Sequence, residues 1–130
     1  ENVRTLGKLA WHITQTVTEM PATAGLIHED ELENQGIPGS VEEICSTYKR
    51  VAEALIETIR DKWEDRDLME EIDMYGQTWK KTKVLSALVK HQIHHRGQMT
   101  IIMRHFGFVV PGTYGPSKEE WRRFGMDEQD

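Results

Sequence analysis

An all-α fold is what this sequence predicts, and three observations lead there. Three long segments repeat apolar residues at three- and four-residue spacing, the signature of an amphipathic helix. Residues able to cap a helix stand at Thr5, Ser40 and Thr82, ahead of those segments. Extended structure has only short candidates, around Leu68, Ile72 and Met74. At 130 residues the chain suits one domain with one core.

The first helix runs over residues 6–20 behind Thr5. Leu6, Leu9, Ala10, Ile13 and Val17 form its apolar stripe, His12 sits at its middle, and Pro21 is expected to stop it. Residues 21–39 hold Pro21, Gly25, Gly36, Pro38 and Gly39 with an acidic cluster at Glu29, Asp30, Glu31 and Glu33. They read as a long surface connection of the kind that often borders a functional site. Ser40 and Glu43 make a capping box, each side chain satisfying a free amide at a helix start. Behind it Val41, Ile44, Cys45, Tyr48, Val51, Ala52, Leu55, Ile59 and Trp63 keep helical period and define a core face. Residues 63–81 read as a loop with room for a small hairpin, broken by Gly76. Thr82 opens the longest helix, with Val84, Leu85, Leu88, His91, His95, Gln98, Ile102 and Phe106 along one side and Gly107 as its stop. After a turn-rich stretch, Ser117 and Glu120 form a second capping box for a short helix carrying Trp121 and Phe124.

Composition narrows the function classes. A formal charge of -6 with no clustered Lys/Arg stripe argues against binding nucleic acid through phosphates. No apolar run reaches the roughly 18 residues of a membrane span, and no leader is recognisable, so a cytoplasmic home is the expectation. The single Cys45 has no partner for an internal disulfide and, on a core face, behaves as a small hydrophobe.

Chemistry concentrates in His91-Gln92-Ile93-His94-His95-Arg96-Gly97-Gln98. On a helix that advances about 100° and 1.5 Å per residue, His95 lies roughly 40° around and 6 Å along from His91, so both rings can reach one cation. His94 diverges from that pair and is expected to be an outer or exposed residue. His105, about 21 Å along the axis, is out of reach, and His28 sits in the acidic loop as solvated surface. Two polar rings on an apolar face are costly unless something satisfies both nitrogens, and a shared cation does so. His12, mid-helix on a second amphipathic segment, is the natural third ligand, because bundle cores assemble metal sites from facing helices. Three imidazoles leave a coordination position free for water or substrate, the pattern of a catalytic ion, but imidazole alone does not choose the metal. Gln98 is placed to orient a ligand histidine or a water, or to sit as an amide at the core edge. Gly97 is placed to admit a neighbouring helix, and Arg96 to pair with an acidic residue across the bundle.

The His-x-x-x-His-Arg-Gly-Gln element, the run Arg4-Thr5-Leu6-Gly7-Lys8-Leu9-Ala10-Trp11-His12, and Val110-Pro111-Gly112-Thr113-Tyr114-Gly115-Pro116-Ser117-Lys118-Glu119-Glu120-Trp121 together resemble the DinB family over nearly the whole chain. That resemblance implies an up-down-down-up four-helix bundle and a divalent metal held by three histidines, which fall here on His12, His91 and His95. Zinc or nickel leads the expected metals, with iron or manganese behind. It also implies a homodimer, and a stress association for some members. Some relatives transfer low-molecular-weight thiols or isomerise a small substrate with a thiol cofactor. One departure stands out: the family pattern has a further helix ahead of the first histidine, and a three-helix bundle is expected to leave Leu9, Ile13 and Val17 uncovered unless a further segment or a partner chain supplies the cover.

Two functions of different class follow. The first is a metal-dependent enzyme, a thiol transferase or hydrolase, in which the ion activates a thiol or water toward a small substrate; no catalytic base is singled out among the abundant carboxylates. The second is a metal-binding or dimeric interaction protein without turnover. A metal-free reading treats the histidines as groups that titrate near pH 6.5.

Overall fold

The computed structural model describes residues 4–129 and contains the three long helices in the expected order. α1 (Leu6–Thr23) begins where Thr5 accepts a hydrogen bond from the Lys8 amide at 3.2 Å. It does not stop at Pro21 but runs through it. A proline inside a helix forfeits one backbone hydrogen bond, and here the ring is buried beside Met20 and Ala24, so apolar packing compensates. The helix closes two residues later, where the Leu26 amide donates to the Pro21 carbonyl at 2.8 Å and Gly25 takes a φ of 67°.

α1 is buried nearly all round, as a central helix must be: Leu9, Trp11, Ile13, Val17 and Met20 are all in the core. It packs against both other long helices. The expectation that Leu9, Ile13 and Val17 would be left uncovered is therefore overturned, because the chain itself encloses them. Buried hydroxyls on the same helix are satisfied locally, Thr14 by the Ala10 carbonyl at 2.8 Å and Thr16 by the Ile13 carbonyl at 3.0 Å.

The connection over residues 24–40 is less free than its composition suggests. Leu26 and Leu32 are core residues, and Trp11 Nε1 donates to the Gln35 carbonyl at 3.1 Å. Asp30 accepts from Thr18 Oγ1 at 2.5 Å and from the Leu32 amide at 3.1 Å, tying the acidic stretch to α1.

α2 (Val41–Lys62) starts under Ser40, whose Oγ accepts from the Glu43 amide at 3.1 Å. Ile44, Val51 and Leu55 enter the core while Tyr48, Ala52, Ile59 and Trp63 border it. Cys45 and Val41 are exposed, contrary to the core face assigned to them. Cys45 lies about 100° around the helix from Ile44, which carries it past the edge of a narrow buried stripe. Residues 63–81 contain a 3-10 turn at Asp65–Met69 and a hairpin of β1 (Glu71–Met74) with β2 (Gln77–Lys80), register Glu71 to Lys80. Its two-residue turn, Tyr75-Gly76, has positive φ at both positions, which suits the twist of the flanking strands. Met74 is fully buried, and Tyr75 Oη donates to the Glu19 carboxylate at 3.0 Å, so the hairpin is pinned to α1.

α3 (Lys81–His105) begins one residue before Thr82, with no side-chain cap, and ends ahead of Gly107, whose φ is 75°. Phe106, assigned to the core stripe, is instead exposed. The chain then folds back along α3. Arg104 and Glu119 pair through both guanidinium nitrogens, Nη2 to Oε2 at 2.7 Å, and the Gly112 and Ser117 amides both donate to Glu120 Oε2 at 3.1 Å. The short terminal helix, Lys118–Phe124, is 3-10 rather than α and carries the Ser117–Glu120 capping box.

Candidate metal centre

His12 from α1 and His91 and His95 from α3 meet in one cluster. The His12 ring lies 4.9 Å from that of His91 and 4.6 Å from that of His95, centre to centre, and His91 and His95 are 4.4 Å apart. One nitrogen from each falls within 4.8 Å of the others, and His91 Nε2 is 3.1 Å from His95 Nε2. Imidazoles bound tetrahedrally at about 2.0–2.1 Å hold their nitrogens about 3.3 Å apart. The α3 pair already has that spacing, so the donor set fits a transition-metal ion. No carboxylate or thiol joins the group among the described residues.

Electrostatics keep these rings ready to bind. His12 is lowered from 6.5 to about 4, first by burial and then by the charges of His95, His91 and Arg4. His91 is also lowered, by burial first and then by His95, His94 and Arg4. Both are neutral at physiological pH, the state in which a lone pair is free for a cation. His91 Nδ1 is buried and has no hydrogen-bond partner among the described residues, in contrast to His95.

The orientation of His95 is held by Gln98, whose Oε1 stands 2.7 Å from His95 Nδ1. A proton on Nδ1 leaves the Nε2 lone pair aimed into the cluster. The amide of Gln98 is set in turn by exposed His94, at 3.2 Å from Gln98 Nε2 to His94 Nε2. His94 thus stays outside the cluster, as its angle predicts. His105 stacks edge-on with Phe106 and His28 is exposed, so neither reaches the site.

Two expectations for the flanking residues fail. A side chain added at Gly97 would meet nothing within 4 Å, so no helix among the described residues approaches there. Arg96 donates to Tyr48 Oη at 2.8 Å instead of pairing with a carboxylate. One residue escaped the sequence reading altogether. Gln92 donates to the Ile13 carbonyl at 2.7 Å and to Thr16 Oγ1 at 3.2 Å, and it accepts from Tyr48 Oη at 3.3 Å. Its angular position, between those of Leu85 and Leu88 on α3, was the available signal: an amide inside an apolar stripe needs partners.

Comparison with known proteins agrees with this architecture. A protein of Bacillus subtilis (strain 168), YrdA, is 37% identical over 123 residues, 95% of this chain and 74% of that protein. The crystal structure of a DinB-like protein from Bacillus cereus ATCC 10987 superposes with a TM-score of 0.78 at 38% identity, covering 85% of this chain and 73% of that one. The family model described as the DinB family matches residues 1–130. With a match along its whole length and a closely superposing solved relative, the chain belongs to the DinB family.

Proposed function

We propose that this chain is a metal-dependent enzyme in which His12, His91 and His95 hold a divalent ion that activates a thiol or water for transfer to, or hydrolysis of, a small electrophilic substrate. The observation that carries the reading is the convergence of three imidazoles from two helices, with no anionic donor in the group among the described residues. A bound dipositive ion would keep its full charge there and lower the pKa of a coordinated water or thiol toward neutrality. Structural zinc sites close with four protein ligands, whereas three leave a position open. Access supports the same reading: His95 is only 8% exposed, but His12 and His91 are half-buried, so one side of the cluster faces solvent. Zinc or nickel suits this donor set first, with iron or manganese as alternatives.

Elemental analysis of protein purified without added metal tests the assignment. Wild type is expected to retain a transition metal, and His91→Ala and His95→Ala to lose it; equal metal content in all three would refute it. Loading with Co2+ then separates an enzyme from a closed metal site. Visible absorption that changes on adding a low-molecular-weight thiol supports an open position, and a spectrum indifferent to thiol supports a protein that binds metal without turnover.

A further inference from the structure

The histidines come from two helices, so the distance between the donors of α1 and α3 is set by how those helices are held together. The hydrophobic effect is non-directional, and interdigitated side chains, though they resist gross sliding, do not by themselves set one donor-to-donor distance. A slip of one residue along a helix is about 1.5 Å, whereas metal–ligand distances tolerate about 0.2 Å. Something directional must fix the register.

Gln92 supplies it. Its amide nitrogen donates at 2.7 Å to the main-chain carbonyl of Ile13, the residue after His12, while Gln92 itself follows His91. The same nitrogen reaches Thr16 Oγ1 at 3.2 Å. The amide cannot flip without loss, because its oxygen accepts from Tyr48 Oη at 3.3 Å, and that hydroxyl accepts from Arg96 Nη2 at 2.8 Å. Arg96, the residue after His95, also lies over the Tyr48 ring at 5.6 Å. A chain of donors therefore runs from a cation on α3, through α2, back to α3 and on to the backbone of α1. Three members, Ile13, Gln92 and Arg96, are each the sequence neighbour of a clustered histidine. Neighbouring positions on a helix diverge by about 100°, so the histidines face the cluster while the residues beside them make the clamp.

We propose that Gln92, held by Tyr48 and Arg96, is a positioning residue that fixes the separation of His12 from His91 and His95 and thereby sets the affinity and coordination geometry of the metal centre. This rests on the metal centre proposed above. The clamp touches neither the ion nor a substrate; it acts through the helices that carry the ligands.

The test measures Zn2+ affinity by competition with a chromophoric chelator, the visible spectrum of the Co2+-loaded protein, and the melting temperature of the metal-free protein, for wild type, Gln92→Leu and Tyr48→Phe. Loss of a partner bonded directly to a metal ligand costs roughly 10–100-fold in affinity; Gln92 acts one step further out, so Gln92→Leu is expected to lose about tenfold, the lower end of that range, with a shifted Co2+ spectrum. Tyr48→Phe keeps the ring and removes only the hydroxyl, so it is expected to lose less affinity and to remain folded should the leucine variant fail to fold. Affinity retained within about threefold, well short of that range, in whichever variants fold overturns the proposal, even if the metal-free melting temperature falls, because Gln92 would then be a structural amide only. Wild type that takes up no metal overturns the functional reading itself, so the two failures are distinguishable.

Discussion

The two halves of α3 are held by different physics. Before the second clustered histidine, Val84 and Leu88 are buried at 0% and 8% exposure, in the core that α1 shares. Beyond His95 no residue of the helix is buried, and Ile101 and Phe106 are 71% and 66% exposed. The distal half is secured instead by the Arg104–Glu119 pair and by the turn that returns from Val110 to Ser117, leaving a pocket of about 240 Å³ lined by Thr100, Ile101 and Arg104 on the helix side. His91 and His95 stand where one regime gives way to the other. A ring there has a packed helix at its back and an open flank in front, which suits the metal centre proposed above.

The largest expected contrast comes from truncation on the packed side. Leu88→Ala removes a core side chain and is expected to cost about 2–5 kcal/mol, read from the urea midpoint of the metal-free protein. A cost below about 0.5 kcal/mol, the ordinary surface value, would erase the distinction between the halves. Gly112→Ala probes the polar side. A methyl group there would overlap the Gly115 carbonyl oxygen and Glu120 Oε2, one of them backbone that cannot swing aside. Overpacking of this kind costs about 1–3 kcal/mol. The loss should appear as faster proteolysis of the C-terminal segment, with α1 and the proximal half of α3 still protected; uniform protection along the chain would show that the returning turn is not what secures the distal half.

That division was only partly legible in the sequence. His91 and His95 were, because one-turn spacing on a long periodic segment places two donors on one face; His12 was only a candidate, since its approach depends on how α1 packs against α3. The caps at Thr5 and Ser40 were legible for the same local reason. What a helical wheel does not give is the width of the buried stripe, which depends on what lies opposite. Cys45 and Phe106 fall on the apolar side of their helices and are exposed because no other helix among the described residues covers them, while Gln92, an amide within an apolar stripe, is bonded to two other helices. Pro21 signalled a stop that burial of its ring overrode.

A smaller effect separates the same regions by pH. In the metal-free protein His12 is lowered to about 4 from 6.5, so the unfolded chain binds its proton first. Its contribution to stability is complete above pH 6.5, is lost as pH falls from 6.5 toward 4, and changes no further below that; His91 acts in the same direction. Glu119, held at about 2 by Arg104 against an ordinary 4.5, stabilises the distal clamp above pH 4.5, and that contribution is lost as pH falls from 4.5 toward 2. Stability curves for wild type and His12→Gln should therefore differ in slope mainly above pH 4.5, and those for Glu119→Gln mainly below it. Slopes that coincide across both windows would show that neither group is coupled to folding as the geometry implies.

The smallest effect is the sharpest test of the open half. Ile101→Ser exchanges a large apolar side chain that is 71% exposed for a small polar one, and the stability read from the urea midpoint is expected to change by no more than about 0.5 kcal/mol. The same substitution buried in a helix interface would cost several times as much. A loss above about 1 kcal/mol would mean that Ile101 is covered in solution, and repeating the measurement across a range of protein concentration would identify the cover. A loss that grows with concentration points to a second copy of the chain on the distal half of α3, because association adds stability to wild type by mass action. A small loss, independent of concentration, leaves the exposed flank as this structure draws it, with the histidine cluster at the edge of the packed helix.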